Sequence, residues 1–203
     1  MSRKVEKNKD ALQIPKIILY TGKILETISP KLATLYAAKL FVTPIKHTIP
    51  KREFYMDENS IQSKLWIPSI KKEIVTYKYG QGEKKVILVH GWSGRGTQLF
   101  KIADALVENG YTTISFDAPA HGKSIGKTSL MPEFIESILE LEKQFGPFEF
   151  AIGHSLGGMA ILNALNQNLK VKKGVIIGSG DVILDIINDF VKKLELNENI
   201  SIK

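Results

Sequence analysis

The 203-residue chain is about one domain's worth of sequence, and its 43% hydrophobic and 24% charged residues are ordinary globular usage that excludes wholesale disorder. It contains no Cys, which excludes a disulfide framework, Cys-ligated zinc and a thiol nucleophile, and fits a reducing, cytoplasmic setting. The net charge of +7 falls wholly on residues 1–75, with 14 Lys+Arg against 7 Asp+Glu, and aromatics do not interleave with them, so nucleic-acid binding is not expected.

Met1 to Asp10 is polar, without the apolar core of a secretory signal. Residues 1–50 read as an amphipathic helical segment. In the first helix Ile17, Ile18, Ile24, Leu25 and Ile28 are expected on one inner face, although Gly22 weakens the pattern. Ser29 can cap a second helix that has Pro30 at its first position and Leu32, Leu35, Tyr36 and Leu40 inward. The basic, amphipathic character of this segment leaves two expectations open: packing against the rest of the chain, or peripheral docking on an anionic membrane. Residues 51–71 read as a basic linker.

The texture changes at residue 72. Val75, Tyr77 and Tyr79 alternate with polar residues, as in a strand with one wetter face. Val86 to Val89 is a continuous apolar run, expected for a strand buried on both faces. A helix follows with Leu99, Ala103 and Leu106 inward and Gly110 at its end. Then come a strand at Thr112–Phe116, a helix lined by Phe134, Ile138, Leu141 and Phe145 and closed by Gly146, a strand at Phe148–Ile152, a helix at Gly157–Asn166 and a strand at Gly174–Ile177. Alternating strands and helices predict an α/β fold with a mostly parallel sheet over residues 72–180. Residues 181–203 read as the start of a cap helix, with Ile183, Ile186, Phe190 and Leu194 inward.

Three strand ends carry chemistry. Gly153-His154-Ser155-Leu156-Gly157 is a G-x-S-x-G between a buried strand and a helix. A turn that sharp strains the serine backbone and demands small neighbours, and it lifts the Ser155 hydroxyl over the sheet edge. The predicted conformation is a positive φ at Ser155. His90-Gly91-Trp92-Ser93-Gly94 ends the most hydrophobic strand; Gly91 permits close approach, so the Trp92 N–H and the N–H of Leu156 are candidate oxyanion donors. Asp117-Ala118-Pro119-Ala120-His121-Gly122-Lys123-Ser124 follows the next strand. No dinucleotide or P-loop spacing is present.

Taken in order, these three motifs resemble the α/β-hydrolase fold family. The resemblance implies a serine hydrolase acting on an ester or other acyl substrate, without metal or organic cofactor, in which Asp117 buttresses the site and is not the catalytic acid. It also implies an Asp or Glu and then a His after the nucleophile. The four histidines, His47, His90, His121 and His154, all precede Ser155. His90 and His121 are expected in structural roles, and the elbow is expected to aim His154 away from Ser155. Asp181 follows the last strand and reads better as a helix N-cap than as the triad acid. With 48 residues after Ser155, the chain looks like the first two thirds of a hydrolase, its acid and base beyond residue 203. The missing base keeps open a second reading, a non-catalytic α/β-hydrolase-like binding module. Either way the last strand is expected to end as an apolar open edge.

Overall fold

A strand that is apolar along its whole length needs cover on both faces, and the computed structural model, which describes residues 14–180, 182–197 and 200, supplies it. Strands β1 (Ile61–Ile67), β2 (Lys72–Tyr79), β3 (Lys84–Val89), β4 (Tyr111–Asp117), β5 (Phe150–His154) and β6 (Lys173–Ile177) form one sheet in the order β1-β2-β4-β3-β5-β6. The pairs β1·β2 and β2·β4 are antiparallel; β4·β3, β3·β5 and β5·β6 are parallel. This is the α/β architecture expected from the alternating pattern.

The helices lie where a parallel sheet requires them. α4 (Phe100–Glu108) joins β3 to β4, α5 (Met131–Phe145) joins β4 to β5, and α6 (Leu156–Asn166) joins β5 to β6. Along β3, Ile87 and Val89 enter a core with Phe134, Ile138 and Leu141 of α5 and Ala160, Ile161 and Ala164 of α6. Val86 and Leu88, pointing the other way, meet Ala103 of α4, Tyr79 and Met56. Opposite Cβ directions on successive residues thus explain the unbroken apolar run.

Residues 51–71 are not a linker. A 3₁₀ turn (Lys51–Glu53), helix α3 (Phe54–Asn59) and all of β1 lie there. β1 escapes pattern reading because it is a sheet edge: Ile61, Gln62, Ser63 and Lys64 are all exposed, so no alternation of apolar and polar residues marks it.

The described chain divides into two units, one formed by residues before 42 and after 181, the other by residues 42–181. In the first, α1 (Lys16–Ile28) and α2 (Pro30–Phe41) pack with α7 (Ile183–Lys193) around Ala33, Ala37, Val191, Leu194, Leu196 and Ile200. The expected inner faces need correction here. Ile18 and Leu25 do face this core, but Ile17, Ile24 and Ile28 are exposed, as are Leu32, Leu35, Ile183 and Ile186. Small residues win the interior positions: Ala33 and Ala37 let helix backbones approach, and a Cβ on Gly22 would stand 3.2 Å from Leu196 Cδ2. The expected role of Asp181 falls outside the described residues. Among the described residues no helix is long and apolar enough to cross a membrane.

Candidate active site

β5 runs into α6 through a single residue, Ser155, with φ 51° and ψ −121°. That is a strained backbone for a residue with a Cβ, and the surroundings hold it. The Ser155 N–H donates to Ile177 O of β6 at 2.9 Å, while its carbonyl accepts from Gly158 N–H and Met159 N–H. The turn is tight enough that a Cβ on Gly157 would stand 2.4 Å from Val89 O, inside any allowed contact. The small-residue spacing therefore reflects two strand ends pressed together. Ser155 itself is half-buried, at the C-terminal edge of the parallel strands, where open α/β sheets take their ligands.

The turn after β3 comes to the same place. A Cβ on Gly91 would stand 3.1 Å from the Ser155 Cβ and 3.0 Å from His154 Nδ1. Gly91 is thus required by close approach, and it seats Trp92 beside the elbow. Trp92 is half-buried, with its ring edge-on to His121 at a centroid distance of 5.1 Å. Leu156 is the first residue of α6, whose opening N–H groups have no intrahelical acceptor. Among the described residues no backbone acceptor outside regular helix and strand bonding pairs with the Trp92 or Leu156 amide. α6 directs its positive dipole end toward Ser155, the residue at its N-terminus.

The histidines are accounted for by geometry. His90 is buried, donates from Nδ1 to Gly91 O at 2.6 Å and accepts the Ala118 N–H at Nε2, 3.0 Å away. Burial lowers its pKa to about 4, so it is a neutral tie between the β3 and β4 ends. His121 is also buried, donates from Nδ1 to Pro119 O at 2.9 Å, and is lowered to about 3 by burial and by His90. Both structural roles read from the sequence hold. The His154 ring lies between the backbones of Gly91 and Gly178, and its Nδ1 has no hydrogen-bond partner. His47 is exposed.

Asp117 is the hub of the mouth. Its buried carboxylate accepts from Gly96 N–H at 2.6 Å, Lys123 N–H at 2.7 Å and the Tyr77 hydroxyl at 2.8 Å. Desolvation pushes its pKa up against those three donors, and Tyr77 is raised by burial and by the same carboxylate. The buttressing role expected of Asp117 follows from these bonds, which tie the loops after β3 and β4 to β2.

Pro44 and Pro50 bracket what the sequence reads as an extended connection, and that segment is the outer support, a role the sequence does not reveal. Residues 42–50 run as an extended strap over these loops: Ser129 N–H donates to Val42 O, Ile45 N–H to Ser93 Oγ at 3.0 Å, and Lys46 Nζ to Ser124 O at 2.6 Å. At its end Glu53, buried, accepts from Arg95 Nη1 at 3.0 Å and from the Thr97 hydroxyl at 2.7 Å. The only signal available was a pair of charges 42 residues apart, which pattern reading does not connect. A hollow of about 480 Å³ beside Lys101, Leu106, Tyr111 and Phe150 opens at the opposite, N-terminal ends of the strands, so it is unrelated to Ser155.

The alpha/beta hydrolase fold family matches residues 84–200. A proline iminopeptidase of Clostridioides difficile is 33% identical over 105 residues, spanning 49% of this chain and 36% of that protein. A Bacillus anthracis bromoperoxidase structure superposes with a TM-score of 0.53 at 27% identity, over 59% of this chain and 45% of that one. A Pyrococcus furiosus esterase gives a TM-score of 0.58 at 20% identity, over 71% of this chain and 57% of that one. The chain thus spans between about a third and somewhat over half the length of these relatives. The family match covers more than half of the sequence and contains both the β3 turn and the Ser155 elbow: the chain belongs to the α/β-hydrolase fold family.

Proposed function

We propose that this protein is a serine hydrolase of ester or other acyl substrates, with Ser155 as nucleophile and the backbone N–H groups of Trp92 and Leu156 as its oxyanion donors. The observation that carries this reading is the strained Ser155 backbone, φ 51°, held in close approach to Gly91. Positive φ recurs at Ser93 and Ala120 in the loops beside it, and strained backbone of this kind clusters at functional turns. Ser155 Oγ attacks the acyl carbon, the carbonyl oxygen takes up negative charge between the two amides, and the alcohol leaves as the acyl–serine forms. Water then cleaves that ester and restores the serine. Proton transfer needs a base, and His90 and His121 are committed elsewhere while no histidine follows Ser155 in this sequence. The acceptor is proposed to be a histidine of a longer protein. The relatives include a peptidase, a peroxidase and an esterase, so the acyl substrate class rests on the site chemistry.

A fluorophosphonate probe tests this reading, because it phosphonylates an activated serine. The expected result is slow adduct formation, located at Ser155 by mass spectrometry and absent from Ser155→Ala. Turnover of p-nitrophenyl acetate by the 203-residue chain is expected to stay within the roughly 10³–10⁴-fold over water that an oxyanion hole and binding retain without a base. Turnover at an ordinary esterase rate would show that one of the four histidines is the base. No adduct at all, with the chain folded, would favour the second reading, a non-catalytic binding module, which the missing base motivates.

A further inference from the structure

α1 is apolar on two sides. Its inner side, with Ile18 and Leu25, meets the helical core. Its outer side carries Ile17, Tyr20, Ile24 and Ile28, spaced i, i+3, i+7 and i+11, so all four line one stripe. They are far from marginally exposed: Ile17 is 71% and Ile28 68% accessible. α2 adds Leu32 and Leu35 to the exposed set. A contiguous apolar stripe of this kind on a folded unit marks a contact surface.

Charge selects the occupant. The exposed residues of α1 and α2 include Lys16, Lys23, Lys31 and Lys39 and no carboxylate. The one acidic residue in the two helices, Glu26, is half-buried and accepts the Asn197 N–H at 2.8 Å. Glu195 of the same unit pairs with Lys23, and among the described residues no ion pair takes up Lys16 or Lys31. Residues 1–41 as a whole hold 8 Lys+Arg against 3 Asp+Glu. An apolar stripe rimmed by lysines repels its own copy and suits a surface that is apolar beneath and anionic above. At 13 residues α1 is about 20 Å long, too short to span a bilayer but long enough to lie in its interface.

We infer that the outer face of α1–α2 docks the protein on anionic lipid membranes, with α1 lying in the headgroup plane. The inference stands apart from the chemistry of Ser155. The test is co-sedimentation of the full 203-residue chain with vesicles of phosphatidylcholine alone and with added phosphatidylglycerol, at low and high salt. Binding is expected to anionic vesicles, at least tenfold weaker to neutral ones, and to fall as salt rises. Ile24→Glu with Ile28→Glu should reduce it more than tenfold. Lys16→Gln and Lys31→Gln should each reduce it about fivefold, the effect of one basic residue at such a surface. Circular dichroism monitors folding, and the lysine pair tests the same surface if the glutamate pair unfolds. Wild-type binding by both pairs, no binding by the wild type, or equal binding to both lipids would overturn the inference. So would a concentration-dependent dimer that Ile24→Glu dissolves, because the stripe would then be covered by a second copy.

Discussion

The mouth of the sheet and its β6 edge break the ordinary rule of burial in opposite directions. At the mouth, polar groups are inside: Glu53, His90, Arg95, Thr97, Asp117, His121 and Ser124 are all buried. At β6, apolar groups are outside, with Val175 47% and Ile177 37% accessible on a strand paired along one side only. The mouth carries its own partners. Arg95 and Thr97 meet Glu53, three donors meet Asp117, and the Ser124 hydroxyl donates to Asp117 O at 2.6 Å. Among the described residues β6 presents an unpaired backbone edge, with Lys172 and Lys173 at its start. The difference separates two sources of constraint. Buried polar networks fix one geometry, whereas an apolar edge fixes nothing until something pairs with it.

The largest way to break the contrast is to remove one partner at the mouth. Glu53→Ala leaves the Arg95 guanidinium buried without its carboxylate and is expected to cost about 3–5 kcal/mol, read from urea unfolding. Replacing both, Glu53→Met with Arg95→Met, should cost much less, because no lone charge remains. Equal losses would mean that packing, not charge, sets the cost.

Acid should act next. His90 and His121 have folded pKa values of about 4 and about 3, below the ordinary 6.5 of the unfolded chain. The unfolded state then binds more protons, so both contribute stability that is present above pH 6.5 and lost as pH falls toward about 3–4. Two groups titrating in that window correspond to a slope of up to about 2.7 kcal/mol per pH unit. Asp117, whose pKa is raised, works the other way and blunts the loss at the acid end. His121→Phe should remove about half of the histidine slope. An unchanged slope would place the acid sensitivity outside the mouth.

The smallest effect on stability, and the most telling for β6, is Val175→Lys. An exposed substitution should move the unfolding midpoint by less than about 0.5 kcal/mol. It should nevertheless reduce concentration-dependent association, measured by light scattering, because a charge at the centre of an open strand blocks edge pairing. Association unaltered by the lysine would locate the sticky surface elsewhere.

These two regions also mark what could be read from the residues. The β3–β6 core was legible because its signals are local: Val86–Val89 is uninterrupted, Gly146 stops α5 where expected, and the glycines around Ser155 announce a tight turn. The open β6 edge followed from the same reasoning. The Glu53–Arg95 tie and the Tyr77–Asp117 bond were not legible, because each joins residues about 40 positions apart through a geometry that only the folded sheet creates. β1 was missed because an edge strand with polar outward residues has no periodic signature. The helical faces are not legible from aliphatic spacing, because close packing selects the small residues Ala33, Ala37 and Gly22 for the interior and leaves Ile17, Ile24 and Ile28 outside.

The split composition of the helical unit has a consequence in time. Its core joins Ala33 and Ala37 to Val191, Leu194 and Leu196, and the polar contacts of Lys23 with Glu195 and Glu26 with Asn197 join residues 172 and 171 positions apart. At ordinary translation rates of about 5–20 residues per second, the inner faces of α1 and α2 emerge on the order of ten seconds or more before α7. Residues 42–181, one contiguous unit, are synthesised in that interval. α1 and α2 therefore wait for α7 to complete their core, and a nascent chain arrested before residue 182 should display Ile18, Leu25, Ala33 and Ala37 to whatever chaperone waits at the ribosome exit.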